Sequence, residues 1–113
     1  MKTGIDIQDV ARIKKLSEDK LRRIFSVLEL EYIESKNRAA QTIAGMYAAK
    51  EAYFKAIGTG ITHNKLREVE ILHDDFGAPY IMNNEQGKGQ RSVSISISHT
   101  KDTAVAVCIL GNL

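Results

Sequence analysis

The chain has 113 residues, a formal net charge of +2 and 43% hydrophobic residues. These values predict one globular domain over residues 1–113, with room for a single hydrophobic core. No apolar run approaches membrane-spanning length and no N-terminal signal is recognisable, so we expect a cytoplasmic protein that has no membrane partner. The single cysteine, Cys108, lies in an apolar run, which indicates a buried, inert thiol.

The N-terminal segment alternates like a strand, with Ile5 and Ile7 on one face and Asp6 on the other. Aspartate is depleted in strands. Asp6 therefore indicates either an edge or strand-end position or a metal ligand.

A basic segment follows, in which only Glu18 and Asp19 carry negative charge. Such a surface suits an acidic protein, a phosphate-bearing ligand or nucleic acid, although the charge run alone is more typical of a solvated helix face. Its basic residues are Arg12, Lys14, Lys15, Lys20, Arg22 and Arg23.

Two helices are predicted in the middle of the chain. Ser26 and Glu29 have the spacing of a capping box, which predicts a helix after Ser26. Asn37 is predicted to cap a long helix over residues 38–57, and Gly58 to end it in a left-handed conformation.

The long helix is apolar on most sides, which is typical of a buried helix, yet it carries Lys50, Glu51 and Lys55. Glu51 and Lys55 are spaced for a surface ion pair, which would contribute only about 0.2–0.5 kcal/mol. Since charges are rarely buried unless they are paired or bound to an ion, a functional site is the alternative.

The C-terminal half predicts strands over residues 68–73, 80–82, 92–98 and 103–110, with a mobile loop over 83–91. The last two strands each alternate a bulky face with a face of small residues, and we expect the small faces to receive the long helix. Few helices and several antiparallel strands predict an α+β fold, an antiparallel sheet with a long central helix packed on it.

Three residues then stand out as one constellation: Asp6, Glu51 and His99. Two carboxylates with room for water suit Mg²⁺. No catalytic Ser-His-Asp order, phosphate-binding loop or zinc spacing is present, so the reaction need not draw its nucleophile from this chain.

Three sequence blocks resemble holo-[acyl-carrier-protein] synthase, the small 4′-phosphopantetheinyl transferase family. They are residues 4–7 (Gly-Ile-Asp-Ile) with Arg12-Ile13, residues 48–52 (Ala-Ala-Lys-Glu-Ala) with 55–61 (Lys-Ala-Ile-Gly-Thr-Gly-Ile), and residues 96–100 (Ser-Ile-Ser-His-Thr). The resemblance covers nearly the whole chain and implies an α+β homotrimer with active sites between subunits.

The resemblance implies that phosphopantetheine moves from coenzyme A to a serine of apo acyl carrier protein, releasing adenosine 3′,5′-bisphosphate. Asp6 and Glu51 would hold Mg²⁺ on the pyrophosphate, and either Glu51 or a metal-bound water would take the serine proton. With these two acids, Lys55 would complete the catalytic group.

The resemblance also implies contacts to coenzyme A. Lys55 would meet phosphate, Gly58 and Gly60 would let the backbone approach the ligand, and a group at the end of the serine-rich strand would contact the phosphates or the adenosine end. That group comprises Ser98, His99 and Thr100.

The basic segment would then meet the acidic acyl carrier protein rather than nucleic acid. The partner-binding residues implied are Arg12, Lys15, Arg22 and Arg23. The chain departs from the family at Met46, where arginine is common. Either this cationic phosphate contact is absent, or it comes from Arg38, Lys50 or a neighbouring subunit.

Two other classes compete with this interpretation. A small basic α+β module binding RNA or an acidic protein needs only a Lys/Arg patch, although no aromatic stacking pair interleaves with the basic segment. A transferase fold that has lost activity is the second, and the intact pair of Asp6 and Glu51 argues against it.

Overall fold

A computed structural model describes residues 1–58, 66–83 and 91–112, except the side chains of residues 83, 91 and 112. Within these ranges, one strand is followed by four helices and then by four strands, and a short 3₁₀ turn, Leu66–Glu68, precedes β2. The elements are β1 Lys2–Asp9, α1 Val10–Ile13, α2 Glu18–Ile24, α3 Val27–Ser35, α4 Ala40–Ile57, β2 Val69–His73, β3 Pro79–Asn83, β4 Arg91–His99 and β5 Thr103–Asn112.

Three strands form an antiparallel sheet in the order β1-β5-β4, and β2 and β3 form a separate antiparallel hairpin. Helix α4 packs on the three-stranded sheet, which confirms the predicted α+β fold with a long central helix. No helix in the described ranges is long and apolar enough to cross a membrane.

Small residues let α4 lie very close to the sheet. A Cβ at Gly4 would stand 1.9 Å from the Ala52 carbonyl oxygen, and a Cβ at Gly45 would stand 2.7 Å from Ile97 Cγ2. These contacts leave no space for a side chain at Gly4, because the neighbouring atom belongs to the backbone of α4. The close approach fixes the position of α4 relative to β1.

The small face of β5 packs against α4 as predicted, whereas that of β4 does not. Ala104, Ala106 and Cys108 are buried, and burial raises the pKa of the Cys108 thiol to about 11, consistent with an inert thiol. On β4 the serines are exposed. The antiparallel register places Ile97 opposite Ala106, so the isoleucine face of β4 shares the helix side of the sheet.

Two of the three predicted helix caps are confirmed. Ser26 and Glu29 form a reciprocal capping box at the start of α3, and Gly58 ends α4 with φ of 77°. The predicted cap at Asn37 is wrong. Asn37 adopts a left-handed backbone in the connection (φ 57°), and α4 is capped by Ala39 without a side-chain hydrogen bond.

A fully buried ion pair joins α4 to α3. Lys50 Nζ lies 2.5 Å from Glu29 Oε1, and both side chains have no exposed area. Lys50 also donates to the carbonyl oxygens of Ile24, Leu66 and Val69 at 2.6–2.9 Å. The ammonium therefore ties four segments of the chain to one point.

The buried carboxylate of Glu29 also has hydrogen-bond partners besides Lys50. Its carboxylate accepts hydrogen bonds from the backbone N–H groups of Ser26 and Ile71, both at 2.9 Å. Burial raises the pKa of Glu29 and lowers that of Lys50, while the charge of each partner opposes the shift. Lys50 is therefore a structural residue of the core.

Candidate functional site

Asp6 lies on the side of β1 that faces α4, with only 11% of its side chain exposed. Its Oδ2 accepts a hydrogen bond from Gln8 Nε2 at 2.7 Å, and its Oδ1 accepts one from Lys55 Nζ at 3.1 Å. β1 is an edge strand of its sheet. Both interpretations of Asp6 thus agree with its position: it is an edge residue, and its carboxylate faces other charged groups.

Glu51 lies one turn before Lys55 on α4 and one turn after Tyr47. Burial raises its pKa, and the negative charge of Asp6 raises it further. A hydrogen bond with Tyr47 and the charges of Lys55 and Arg12 lower it. Burial together with Glu51 raises the pKa of Tyr47 to about 12. Asp6 and Glu51, which are 45 positions apart in the sequence, are therefore close enough to interact.

This pair fits a Mg²⁺ ion that keeps part of its water shell. Within the described ranges no group of three acidic, histidine or cysteine side chains could enclose a metal. Mg²⁺ is commonly held by one or two carboxylates together with water and substrate phosphates. A divalent cation would also relieve the repulsion between the two acids.

Lys55 stands beside the carboxylates and remains accessible. Its Nζ hydrogen-bonds Asp6 and also the Ile5 carbonyl oxygen at 3.0 Å, yet 54% of its side chain is exposed. The ion pair formed by Lys55 in the described structure is with Asp6, and not with Glu51 as the helix spacing suggested. Its position suits a contact with a substrate phosphate.

A cavity of about 250 Å³, which we call the basic cavity, adjoins this pair through Tyr47. Arg12 and Arg23 line it, whereas Lys15 is exposed outside the lining, and Arg22 pairs with Asp19 at 2.7 Å. The cavity thus has a cationic rim and an apolar floor. Its other lining residues are Ile13, Leu16, Lys20, Ile24 and Leu66.

His99 lies elsewhere, in a cavity of about 170 Å³ that we call the histidine cavity. The register places His99 two strands away from Gln8, so it lies about 12 Å from Asp6, which is two residues further along β1. Ser98 lies on the opposite face of β4. Thr100 Oγ1 accepts hydrogen bonds from the N–H groups of Asp102 and Thr103 within the turn. Within a single chain, His99 and its neighbours Ser98 and Thr100 therefore lie apart from the pair of Asp6 and Glu51.

The structure also shows the surroundings of Met46, the position at which the resemblance leads us to expect an arginine. Met46 is buried and lines the histidine cavity. Lys50 cannot supply the missing cation, because it is fully buried and paired, so that prediction is wrong. Arg38 forms ion pairs with Glu34 at 2.7 Å and with Glu18.

Gly58 caps α4 at the predicted position, while Gly60 falls outside the described residues. His73, which sequence analysis did not select, lines the histidine cavity together with His99. Its only sequence signal was its position at the end of a predicted strand.

Comparison with known proteins identifies close relatives over almost the entire chain. Residues 2–108 match the family model of the 4′-phosphopantetheinyl transferase superfamily. The holo-[acyl-carrier-protein] synthase of Finegoldia magna is 41% identical over 112 residues, covering 97% of this chain and 95% of that protein. That of Alkaliphilus oremlandii is 42% identical over 115 residues, covering 94% of each.

Solved structures give the same result. The Bacillus anthracis holo-(acyl-carrier-protein) synthase in complex with CoA (3′,5′-ADP) has a TM-score of 0.87 at 35% identity, covering 99% of this chain and 96% of that one. The Helicobacter pylori enzyme in complex with coenzyme A has a TM-score of 0.80 at 32% identity, covering 96% and 99%. The resemblance and the enzyme class predicted from the motifs are thereby confirmed, and the chain belongs to the 4′-phosphopantetheinyl transferase superfamily.

Proposed function

We propose that this chain, as a single domain over residues 1–113, transfers 4′-phosphopantetheine from coenzyme A to a serine of apo acyl carrier protein in the cytoplasm. The serine oxygen forms a bond to the phosphorus that carries pantetheine, and the bond from that phosphorus to the bridging oxygen breaks. Adenosine 3′,5′-bisphosphate leaves, and the serine proton passes to a base. The observation that carries the proposal is the electrostatic interaction of Asp6 with Glu51, next to the ion pair of Lys55 with Asp6, in a member of this family.

The residues at this site have distinct tasks in the proposed reaction. Asp6 and Glu51 would hold Mg²⁺, which neutralises charge on the phosphates when bound. The accessible ammonium of Lys55 would bind a phosphate oxygen. Gln8 would orient Asp6 through its hydrogen bond to Oδ2. Gly58 and Gly60 would lie along the coenzyme, and His99 with Ser98 and Thr100 would meet its phosphates or its adenosine end.

The basic cavity supports an acidic protein as the acceptor. Its cationic rim adjoins the carboxylate pair, so a carrier docked there would place its serine near the metal. Electrostatic matching of this kind mainly raises the association rate, and the effect falls with salt. Nearly full-length similarity to carrier-protein synthases also favours the enzyme over a module that binds RNA.

Alanine at Arg12 or Arg23 should raise KM for the carrier while leaving coenzyme A affinity nearly unchanged, because both side chains line the basic cavity. Arg22→Ala should have a smaller effect, since Arg22 is already paired with Asp19. Steady-state kinetics with carrier and coenzyme A varied separately measure this division, with Lys2→Ala, an exposed lysine at the start of β1, as the control. Equal losses for both substrates would refute it.

An apolar patch on the outer face of the sheet supports the proposed homotrimer. Ile5, Ile7 and Ile109 are 60%, 66% and 40% exposed. The register sets Ile5 beside Val107 and Ile7 beside Val105, so the patch is continuous across β1 and β5. Exposed apolar patches of this kind mark association sites. A trimer would also let His99 of one subunit complete a site with Asp6 of the next.

Ile7→Asp should convert the trimer to monomers and greatly reduce transfer, because it puts a charge into the apolar patch. Sedimentation velocity gives the mass of each variant, and circular dichroism shows whether the monomer remains folded. Val27→Asp, at a comparably exposed apolar position on α3, serves as the control and should stay trimeric. A wild type that sediments as a monomer at all concentrations would contradict the assembly.

The reaction itself is tested by mass spectrometry of the carrier. Apo acyl carrier protein incubated with this chain, coenzyme A and Mg²⁺ should gain the mass of phosphopantetheine on its serine, and chelation of the metal should abolish the gain. The absence of any gain with several carriers would overturn the proposal and favour the binding module.

A further inference from the structure

His73 stands out in the histidine cavity because one of its nitrogens lacks a partner. Its Nδ1 is buried and forms no hydrogen bond within the described structure. The imidazole stacks on the Tyr32 ring, with centroids 3.8 Å apart and planes 4° from parallel, so the plane of the imidazole is fixed. Buried polar atoms are nearly always hydrogen-bonded. Since His73 also lines the histidine cavity, its imidazole is placed to contact a group bound there.

The charges around His73 indicate what kind of group that is. Lys36 lies over Tyr32, with its Nζ 5.5 Å from the ring centroid, and His99 lines the same cavity from β4. Asp74, the neighbouring residue in the chain, is the acid that acts on the ring. Two imidazoles and an ammonium thus lie near the cavity, while Met46 contributes no charge. Such a set favours an anion that hydrogen-bonds, such as a phosphate.

The protonation of His73 would respond to such a ligand. Burial lowers its pKa, Lys36 lowers it further, and Asp74 opposes the shift. Without ligand the ring is therefore neutral at neutral pH. A bound phosphate would favour the protonated ring, so binding takes up a proton and strengthens as the pH falls.

We propose that His73 is a specificity-determining residue for coenzyme A, and that it contacts a phosphate at the adenosine end together with His99. The proposal rests on the proposed function. It adds to the coenzyme A site a residue, His73, that lies outside the three sequence blocks on which the resemblance was based. In this chain a titratable imidazole would then supply part of the positive charge that the resemblance implies at the position of Met46. The expected consequence is a pH-dependent affinity for coenzyme A.

Isothermal titration of coenzyme A to the wild type and to His73→Gln, at about pH 6 and about pH 8, tests the proposal. The coenzyme phosphates titrate equally in both experiments, so the ratio of the two dissociation constants isolates His73. We expect this ratio to be near one at the higher pH and to rise severalfold at the lower pH, towards the limit of about ten that a shift of one pKa unit gives when the pH is well below the pKa of the free protein. Free 4′-phosphopantetheine, which lacks the adenosine end, should give a ratio near one at both.

A second variant separates charge from stacking. His73→Phe keeps a ring against Tyr32 and should behave like His73→Gln, whereas wild-type affinity at low pH in His73→Phe would overturn the proposal. A ratio that stays the same at both pH values would overturn it as well, while leaving the proposed function intact if the wild type still modifies the carrier. Failure of the wild type to bind coenzyme A at either pH would contradict both.

Discussion

Glu51→Gln is expected to reduce phosphopantetheine transfer by about 10²–10³-fold, the usual cost of removing one group that stabilises transition-state charge. Glutamine keeps the size of the side chain and can still bond to the Tyr47 hydroxyl, but it loses the negative charge that attracts Mg²⁺. The initial rate of carrier modification, followed by mass spectrometry at saturating Mg²⁺ and coenzyme A, measures the effect.

The matched control is Glu31→Gln, which makes the same chemical change at an exposed position on α3. It should retain wild-type activity. Both variants should keep the wild-type melting temperature within a few degrees, because neither position forms part of the buried core. If Glu51→Gln modified the carrier as fast as Glu31→Gln, Glu51 would have no place in the catalytic group.

Lys50→Met is expected to reduce the free energy of unfolding by about 3–5 kcal/mol, the range for breaking a buried ion pair by removing one partner. Methionine fills much of the space but leaves the Glu29 carboxylate buried without its cation. Three carbonyl oxygens lose their ammonium partner as well. Urea unfolding at one fixed protein concentration measures the change.

Lys55→Met provides the control on the same helix. Lys55 is 54% exposed, so its pair with Asp6 should contribute at most about 1 kcal/mol to stability. We expect the two variants to have different effects: Lys50→Met loses stability, whereas Lys55→Met loses activity. Should Lys50→Met fail to fold, Glu29→Gln tests the same pair, with the further loss of one backbone hydrogen bond because the amide nitrogen cannot accept one. A loss under about 1 kcal/mol for both would show that the buried pair is dispensable.

Local patterns predicted much of the fold and singled out the two acids of the candidate site. The capping box at Ser26, the left-handed end at Gly58 and the small face of β5 are set by neighbouring residues, and all three predictions are confirmed. Asp6 and Glu51 were selected because charge in an apolar context demands a partner. The structure then places them within interacting distance.

Features that depend on long-range pairing were not predictable from such patterns. Lys50 and Glu29 lie 21 positions apart, and nothing local distinguishes Lys50 from a surface lysine. The orientation of β4 depends on its register with β5, which put its isoleucines toward the helix. His73 enters its cavity only because the β2–β3 hairpin brings it beside Tyr32.

Binding of Mn²⁺ in place of Mg²⁺, counted by electron paramagnetic resonance in the presence of coenzyme A, tests most directly whether the acids at positions 6 and 51 share one ion. The wild type should bind one tightly held ion per chain, Asp6→Asn and Glu51→Gln should each lose it, and the double variant should bind no more weakly than either single one. Full Mn²⁺ affinity in either single variant would contradict a shared site.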